Sequence, residues 1–147
     1  LTLLGKGELQ KDIYNMCLKL KIIDKVEFIG WTSDVLKYYQ NSDIYVLTSN
    51  WEGFPRSILE AIRSGLPVIA SDVGGVSESV RDNLNGYLVP RANSEKLINC
   101  IESLITNPHL IEDFGRKSRD IYLENFQFNK MALKTEKIYQ EVFNKKY

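Results

Sequence analysis

The sequence predicts an α/β fold: a Rossmann-like, doubly wound parallel sheet that helices cover on both faces, followed by a C-terminal helical tail. Short apolar runs, such as IYVL at 44–47, alternate with amphipathic helical patterns over the first part of the chain. Glycine-containing turns separate several of these runs from the helices that follow them. Strands of a parallel sheet are buried on both faces and joined by right-handed helical crossovers, so they read as continuous apolar runs of this kind.

Each predicted strand is a short apolar run with a turn signal at one end or both. The run at 67–71 begins with Pro67, which a strand tolerates at its first position. The run at 26–29 stops at Gly30. The predicted strands are residues 1–4, 26–29, 44–48, 67–71 and 87–89.

The predicted helices follow from apolar residues that recur at helical spacing. In the first helix, the residues that share one face are Leu9, Ile13, Met16, Cys17 and Leu20. The predicted helices are residues 8–20, 33 or 34 to 39, 55–64, 77–81, 93 or 94 to about 105, 108–124, and about 129 to the end.

Capping signals support several of these boundaries. Ser33 or Asp34 can cap a short second helix, and Asn93 or Ser94 can cap the helix that follows the last strand. Gly65 is well placed as the C′ residue of the helix at 55–64.

Composition and charge exclude several classes of function. Hydrophobic residues make up 44% of the 147-residue chain, which is enough for the core of one domain. Basic and acidic residues balance at 19 each, so the chain has no global attraction to nucleic acid or to an anionic membrane. No apolar run is long enough to predict a transmembrane helix, and the N-terminus lacks a secretory pattern.

The cysteines and the histidine predict no metal centre. Cys17 and Cys100 both fall on apolar helix faces, so we expect buried, reduced thiols and a cytoplasmic protein. His109 is the only histidine, and its place just after Pro108 suits the surface at a helix start. We therefore expect no metal ligands and no cofactor.

Two glutamates, Glu52 and Glu60, are the most informative polar residues of the chain. Glu52 lies in the predicted turn after the strand at 44–48, and Glu60 lies one to two turns into the next helix. In an open α/β sheet this turn is at the carboxyl edge, where ligands bind, and free helix N–H groups attract anions there. Carboxylates at such an edge suit a ligand rich in hydroxyl groups. The alternative is that both are ordinary glutamates, one favoured by the helix dipole and one on a solvated face.

Three predicted turns should meet at that edge of the sheet. They are the Gly5–Lys6–Gly7 turn, the Glu52 turn and the turn at 72–78, which contains Gly74, Gly75 and Glu78. Glycine lets the backbone approach a ligand closely, although any tight turn between a strand and a helix can also require it. Three such turns in register, two of them with acidic residues, favour a ligand crevice.

These motifs resemble the C-terminal, donor-binding domain of retaining glycosyltransferases of family 4, which have the GT-B fold. The resemblance covers nearly all of the first 90 residues in family order, whereas the C-terminal helices match only in general character. The matching segments are 5–7, 26–30, 49–61, 65–71, 74–78 and 85–89.

The resemblance implies roles for individual residues. Glu60 matches the glutamate that holds the ribose hydroxyls of a nucleotide, and Glu52 matches the glutamate that contacts the transferred sugar. The residues implied to bind the diphosphate and sugar are Gly53, Phe54, Pro55 and Arg56, with the amides at Phe54 and Arg56 as donors.

Glycines are implied to line the rest of the nucleotide site. Gly5 and Gly7 would let the backbone approach the nucleotide, and Gly30 and Trp31 would flank the base. The Gly74–Gly75 turn and Glu78 would lie close by.

The chain also departs from the family pattern. Pro55 stands where many members have glycine, which removes one amide donor, although this variant also occurs in the family. The family's preceding strand, with its phosphate-binding arginine and lysine, and its N-terminal acceptor domain would lie upstream of Leu1. Because the chain opens directly on a predicted strand, we expect residues 1–147 to be the single C-terminal nucleotide-sugar-binding domain of a longer, two-domain enzyme.

The missing strand would be central, between the strands at 1–4 and 44–48. Its absence would leave two buried strand edges unpaired, which is costly. We expect a closed-up sheet, a strand from another chain, or an upstream segment that completes the sheet.

The leading hypothesis is therefore the donor domain of a retaining hexosyltransferase. It would bind a UDP-sugar or GDP-sugar and, with the acceptor domain, transfer the sugar to a glycan or lipid-linked acceptor, as in polysaccharide biosynthesis. We expect the fragment alone to be inactive, and we expect the enzyme to be cytoplasmic, with peripheral association at the inner face of the membrane through the absent domain.

Two other classes of function compete with this hypothesis. A dinucleotide-binding oxidoreductase would need a third glycine after Gly5 and Gly7, but Gln10 stands at that position. A non-catalytic GT-B remnant or interaction module would keep the fold without activity, which the intact Glu52 and Glu60 argue against.

Overall fold

The computed structural model describes residues 1–144 and divides the chain into two compact units. The first unit covers residues 1–37, and the second begins at residue 38. Each unit is built of parallel strands and helices, in agreement with the predicted α/β class.

The first unit holds a two-stranded parallel sheet. Strand β1 (Thr2–Leu4) pairs with β2 (Glu27–Gly30), and helix α1 (Gln10–Lys19) and a 3₁₀ turn (Ile23–Lys25) connect them. Helix α2 (Leu36–Gln40) contains the boundary between the units.

The predicted apolar face of α1 is largely exposed within the structure. Leu9 is 66% exposed and Leu20 is 61% exposed, and only Cys17 among the described residues of this helix is buried. The predicted burial of Cys17 is therefore confirmed, and the rest of the apolar face that the spacing identified is largely exposed within the described residues. A sheet of two short strands offers too little surface to cover an amphipathic helix.

The second unit holds the larger sheet, in which β3 (Tyr45–Leu47), β4 (Val68–Ser71) and β5 (Gly86–Val89) pair in that order and all in parallel. Its other elements are α3 (Arg56–Arg63), a 3₁₀ turn (Gly74–Glu78), α4 (Ser94–Ile105), α5 (Pro108–Asn125) and α6 (Phe128–Asn144).

The central strand β4 organises the core of this unit. All four of its residues are buried, as expected for a parallel strand covered on both faces. Val68 and Ala70 pack with apolar residues of α3 and α5, whereas Ile69 on the opposite face packs with α4 and α5. The predicted two-sided covering is thus confirmed in this sheet.

The predicted helix ends are mostly confirmed. Gly65 adopts a left-handed φ of 79° at the C-terminus of α3, and the next amide donates to the Ala61 carbonyl over 3.1 Å, which closes the helix. Asn93 caps α4 by accepting a hydrogen bond from the Lys96 amide over 2.9 Å. Pro108 occupies the first turn of α5.

Some predicted elements differ from the structure. The strands form two separate sheets among the described residues, so the single closed-up sheet is not observed. The short helix predicted at 77–81 is instead the 3₁₀ turn at Gly74–Glu78, because the Gly74–Gly75 turn itself coils against a neighbouring loop. The final predicted helix is α6, and its residues 145–147 lie outside the described residues.

Within residues 1–144, no helix combines the length and the apolar character that crossing a membrane would need. Helix α6 has no buried residue, although it carries large apolar side chains such as Phe128, Ile138 and Val142.

Candidate functional site

The turn after β3 holds Glu52 in a defined position. The Ser49 hydroxyl donates a hydrogen bond to Glu52 Oε1 over 2.6 Å. Glu52 is half-buried, while Trp51 beside it and Gly53 after it are exposed. A short hydrogen bond to a carboxylate is among the stronger polar contacts of a protein, so the direction of this side chain is constrained.

The Gly74–Gly75 turn packs directly on this loop. The Gly75 amide donates to the Gly53 carbonyl over 2.7 Å. Gly74 has a left-handed φ of 54°, and a Cβ atom there would lie 1.8 Å from the Glu52 carbonyl oxygen. Glycine is therefore required at position 74, and the structure brings two of the three predicted turns into contact.

Helix α3 begins beside this contact with an open N-terminus. Pro55 is its N-cap residue, and no side chain among the described residues caps the helix. The first N–H groups of an α-helix have no partner within the helix, and with the helix dipole they favour an anion. Phe54, which is partly exposed, packs against Phe126 with ring centroids 5.8 Å apart.

Glu60 lies in the second turn of α3 and contacts Tyr39. The Tyr39 hydroxyl donates to Glu60 Oε2 over 3.3 Å and lies 3.4 Å from the Ser57 carbonyl oxygen. The Tyr39 ring in turn packs on Tyr45 of β3, with centroids 5.7 Å apart and a tilt of 60°.

Both tyrosines titrate above their ordinary range. Burial, with smaller effects from Tyr45 and Glu60, raises the pKa of Tyr39 far above its ordinary value. Burial also raises the pKa of Tyr45, partly offset by a hydrogen bond with Ser57, and the nearby Glu52 and Glu60 charges add to the rise. The charges of both glutamates thus act on the Tyr45 hydroxyl.

Glu78 and Arg56 lie at the edges of the Gly74–Gly75 turn and the Glu52 turn. Both are exposed, and Glu78 Oε1 approaches within 3.2 Å of the position that a Cβ atom at residue 75 would occupy. Glu78 is therefore folded back over the Gly74–Gly75 turn.

In the first unit, the predicted glycines surround the end of β1. The Gly5 amide donates to the Gly30 carbonyl over 2.7 Å, and both glycines have left-handed φ angles. A shallow groove of about 240 Å³ is lined by both of them and by Gly7, with Leu4 and Ile13. Trp31 is 74% exposed. These four predicted site residues thus belong to the first unit, and the other nine belong to the second.

Three further residues contact the site, namely Tyr39, Ser49 and Arg91. None of the three is a candidate site residue by its sequence pattern alone. Arg91 lies over the Trp51 ring at 5.8 Å and approaches the Asn50 carbonyl oxygen at 3.5 Å. A hydroxyl three residues before Glu52 was the one signal in the sequence that could have identified a partner.

The cysteines are free and buried, as predicted, and burial raises the pKa of the Cys100 thiol. His109 is fully exposed, with Nδ1 4.0 Å from Glu112 Oε2. The part of the chain that the structure describes contains no cluster of three or more His, Cys, Asp or Glu side chains able to hold a metal ion.

Comparison with known sequences identifies a family. Residues 1–121 match the family model described as glycosyl transferases group 1. An uncharacterised glycosyltransferase of Haemophilus influenzae is 38% identical over 120 residues, which are 81% of this chain and 34% of that protein. The UDP-Gal:alpha-D-GlcNAc-diphosphoundecaprenol alpha-1,3-galactosyltransferase of Escherichia coli is 29% identical over 94% of this chain and 36% of its own length. The chain therefore spans about a third of the length of these relatives.

Solved structures of two other proteins contain the fold of this chain. HepE from Anabaena, solved in complex with UDP, matches with a TM-score of 0.89 and 25% identity over 95% of this chain and 40% of HepE. Sucrose-phosphate synthase from Thermosynechococcus elongatus matches with a TM-score of 0.88 and 26% identity over 97% of this chain and 38% of the synthase.

Proposed function

Because the chain belongs to the group 1 glycosyltransferases, we propose that it binds the nucleotide-sugar donor of such an enzyme at the turn between β3 and α3. The donor is a nucleoside diphosphate sugar, and the product is a glycoside of an acceptor that a second domain binds. In this proposal residues 1–147 are the C-terminal donor domain.

One observation carries the proposal: two half-buried, hydrogen-bonded carboxylates lie around the open N-terminus of α3. Glu52 is held by Ser49, and Glu60 is held by Tyr39. Hydroxyl-rich ligands need fixed acceptors, and a diphosphate needs donors and a positive dipole. The turn that contains Glu52 and the helix α3 supply both the carboxylate acceptors and the free helix N–H donors, and both elements belong to the second unit.

The proposed roles follow from position and chemistry. Glu60 accepts hydrogen bonds from the ribose hydroxyls, and Glu52 accepts one from the transferred sugar. The backbone around Gly53, Phe54 and Arg56, at the N-terminus of α3, faces the diphosphate, and Pro55 shapes that turn without an amide to donate.

The remaining proposed contacts are peripheral. The Gly74–Gly75 turn and Glu78 support the sugar side of the site. Within the first unit, Gly5, Gly7 and Gly30 line an open groove and Trp31 is exposed, which supports a proposed role of these four residues in contacting a nucleotide base.

The proposed chemistry breaks the bond between the anomeric carbon and the diphosphate oxygen and forms a bond to an acceptor hydroxyl oxygen, with retention at the anomeric carbon. The negative charge that develops on the leaving diphosphate is stabilised by the N-terminus of α3. Rate enhancement then depends on positioning and on this stabilisation, and less on a side-chain base. The acceptor proton passes to the leaving diphosphate.

We propose a UDP-sugar as the donor, in preference to a GDP-sugar. The neighbouring HepE structures were solved with UDP and with UDP-glucose, and the E. coli relative is named for UDP-Gal. That relative is also named for a lipid-linked acceptor, which supports a glycan or lipid-linked acceptor for the enzyme proposed here. Without its acceptor domain, this chain binds the donor but has no transferase activity.

Calorimetric titration of the chain with UDP, GDP and ADP tests the proposal, with Glu60→Ala as the site variant. We expect UDP to bind most tightly, and we expect Glu60→Ala to weaken that binding by more than about 1 kcal/mol, or about fivefold, because two ribose hydroxyls lose their acceptor. Glu112→Ala, which removes an exposed carboxylate from α5, should leave the affinity unchanged. Binding of none of the three nucleotides, or equal binding by Glu60→Ala, would contradict the proposal.

A further inference from the structure

We propose that Tyr39 is a positioning residue for the nucleotide site: its hydroxyl orients the Glu60 carboxylate toward the ribose. This inference rests on the proposed function and adds to it a residue outside the turns that carry the family motifs. Tyr39 lies 21 positions before Glu60, on a different helix.

The contact geometry supports a directional role. The Tyr39 hydroxyl reaches Glu60 Oε2 at 3.3 Å and the Ser57 carbonyl at 3.4 Å. A hydroxyl has one hydrogen to donate, and the charged carboxylate is the stronger acceptor. Since only Oε2 receives this bond, Oε1 remains for a ligand. Site hydrogen bonds that are long without ligand often shorten when the ligand binds.

The Tyr39 ring is itself fixed. It packs at the edge of the core cluster that contains Ile58 and Ile62 of α3, and it tilts against Tyr45. A tyrosine has only two side-chain torsions, so packing of the ring fixes the hydroxyl at low cost in conformational entropy. The ring links β3, α2 and α3 at the point where Glu60 projects.

The ionisation state favours donation. A tyrosine hydroxyl keeps its proton over the physiological range, and burial with the nearby Tyr45 and Glu60 raises the pKa of Tyr39 further. The Tyr39 hydroxyl therefore donates a hydrogen bond to the Glu60 carboxylate and does not add a second negative charge beside it.

The test compares wild type and Tyr39→Phe in titrations with UDP and with 2′,3′-dideoxy-UDP. Phenylalanine keeps the ring contacts and removes the hydroxyl. We expect Tyr39→Phe to weaken UDP binding by about threefold to tenfold and to leave binding of the dideoxy analogue unchanged. In a Glu60→Ala background, Tyr39→Phe should have no further effect on UDP, because the group that it orients is gone.

Tyr87→Phe is the matched control. Tyr87 is also half-buried, its ring packs on Phe114, and its hydroxyl shares one hydrogen bond of 3.1 Å with Ser103. This variant loses a comparable bond away from Glu60 and should bind UDP as wild type does.

The outcomes separate the two proposals. If wild type binds UDP and Glu60→Ala weakens it while Tyr39→Phe does not, the proposed function stands and the role of Tyr39 is refuted. An equal loss for UDP and for the dideoxy analogue would show a general structural effect and would also refute it. If wild type binds no UDP, both proposals fail.

Discussion

At the scale of single residues, the two glycine-containing loops differ in why they need glycine. Gly74 is required by the chain itself, since it has a left-handed φ and lies against the Glu52 carbonyl. Gly53 has no atom within 4 Å of the position that a Cβ would occupy, and its φ is not left-handed. The proposed function gives a reason for Gly53 that internal packing does not: a side chain there would enter the space assigned to the donor.

This difference predicts that a glycine-to-alanine substitution lowers stability at position 74 but lowers UDP affinity at position 53. Gly74→Ala should lower the free energy of unfolding by about 2 kcal/mol or more, because it combines a strained backbone with a steric clash. Gly53→Ala should change stability by less than about 0.5 kcal/mol but weaken UDP binding about tenfold, or about 1.4 kcal/mol. Urea unfolding and calorimetric titration measure the two effects. Wild-type UDP affinity in Gly53→Ala would show that the donor does not approach this loop.

Ser49 and Tyr39 show which contacts of the site can be predicted from the sequence and which cannot. The Glu52 and Glu60 pair could be found from its spacing and its place after a predicted strand. Ser49 lies three residues from its partner, so a local search could have found it. Tyr39 contacts Glu60 only because α2 and α3 pack beside the same strand, and no local pattern reports such a contact.

At the scale of secondary-structure elements, similar amphipathic patterns lead to different burial. Helix α3 has Ile58, Ala61 and Ile62 fully buried against β4, whereas α1 and α6 leave most of their apolar side chains exposed. The apolar spacing identified all three helices, because it follows from the helical period. It could not report how much sheet surface is available to cover each helix, and that depends on the number of strands nearby.

A pair of isoleucine substitutions tests this difference. Ile62→Ala should lower the free energy of unfolding by about 2–5 kcal/mol, because it leaves a cavity in the core between α3 and β4. Ile138→Ala, at a position 59% exposed on α6, should change it by less than about 0.5 kcal/mol. Urea denaturation followed by circular dichroism gives both values. A loss at position 138 as large as the loss at position 62 would mean that α6 is covered in solution.

At the scale of the whole molecule, the family and the α/β class follow from the ordered motifs, and the comparisons confirm both. The division into two sheets follows less directly from the sequence. Each strand was predicted to within a few residues, yet strand pairing depends on which edges meet, and the pattern of apolar residues does not encode that. The relatives are about three times as long as the matched segment, so the acceptor and the complete reaction belong to the proposal for a longer enzyme.

The central claim is that Glu60 holds the ribose of a nucleotide while the start of α3 faces its diphosphate. A crystal structure of the chain grown with UDP tests it most directly. We predict that the ribose hydroxyls lie within hydrogen-bonding distance of the Glu60 carboxylate and that the diphosphate lies against the backbone amides near Phe54 and Arg56. A UDP molecule bound elsewhere on the chain, or bound with its ribose directed away from Glu60, would contradict the account.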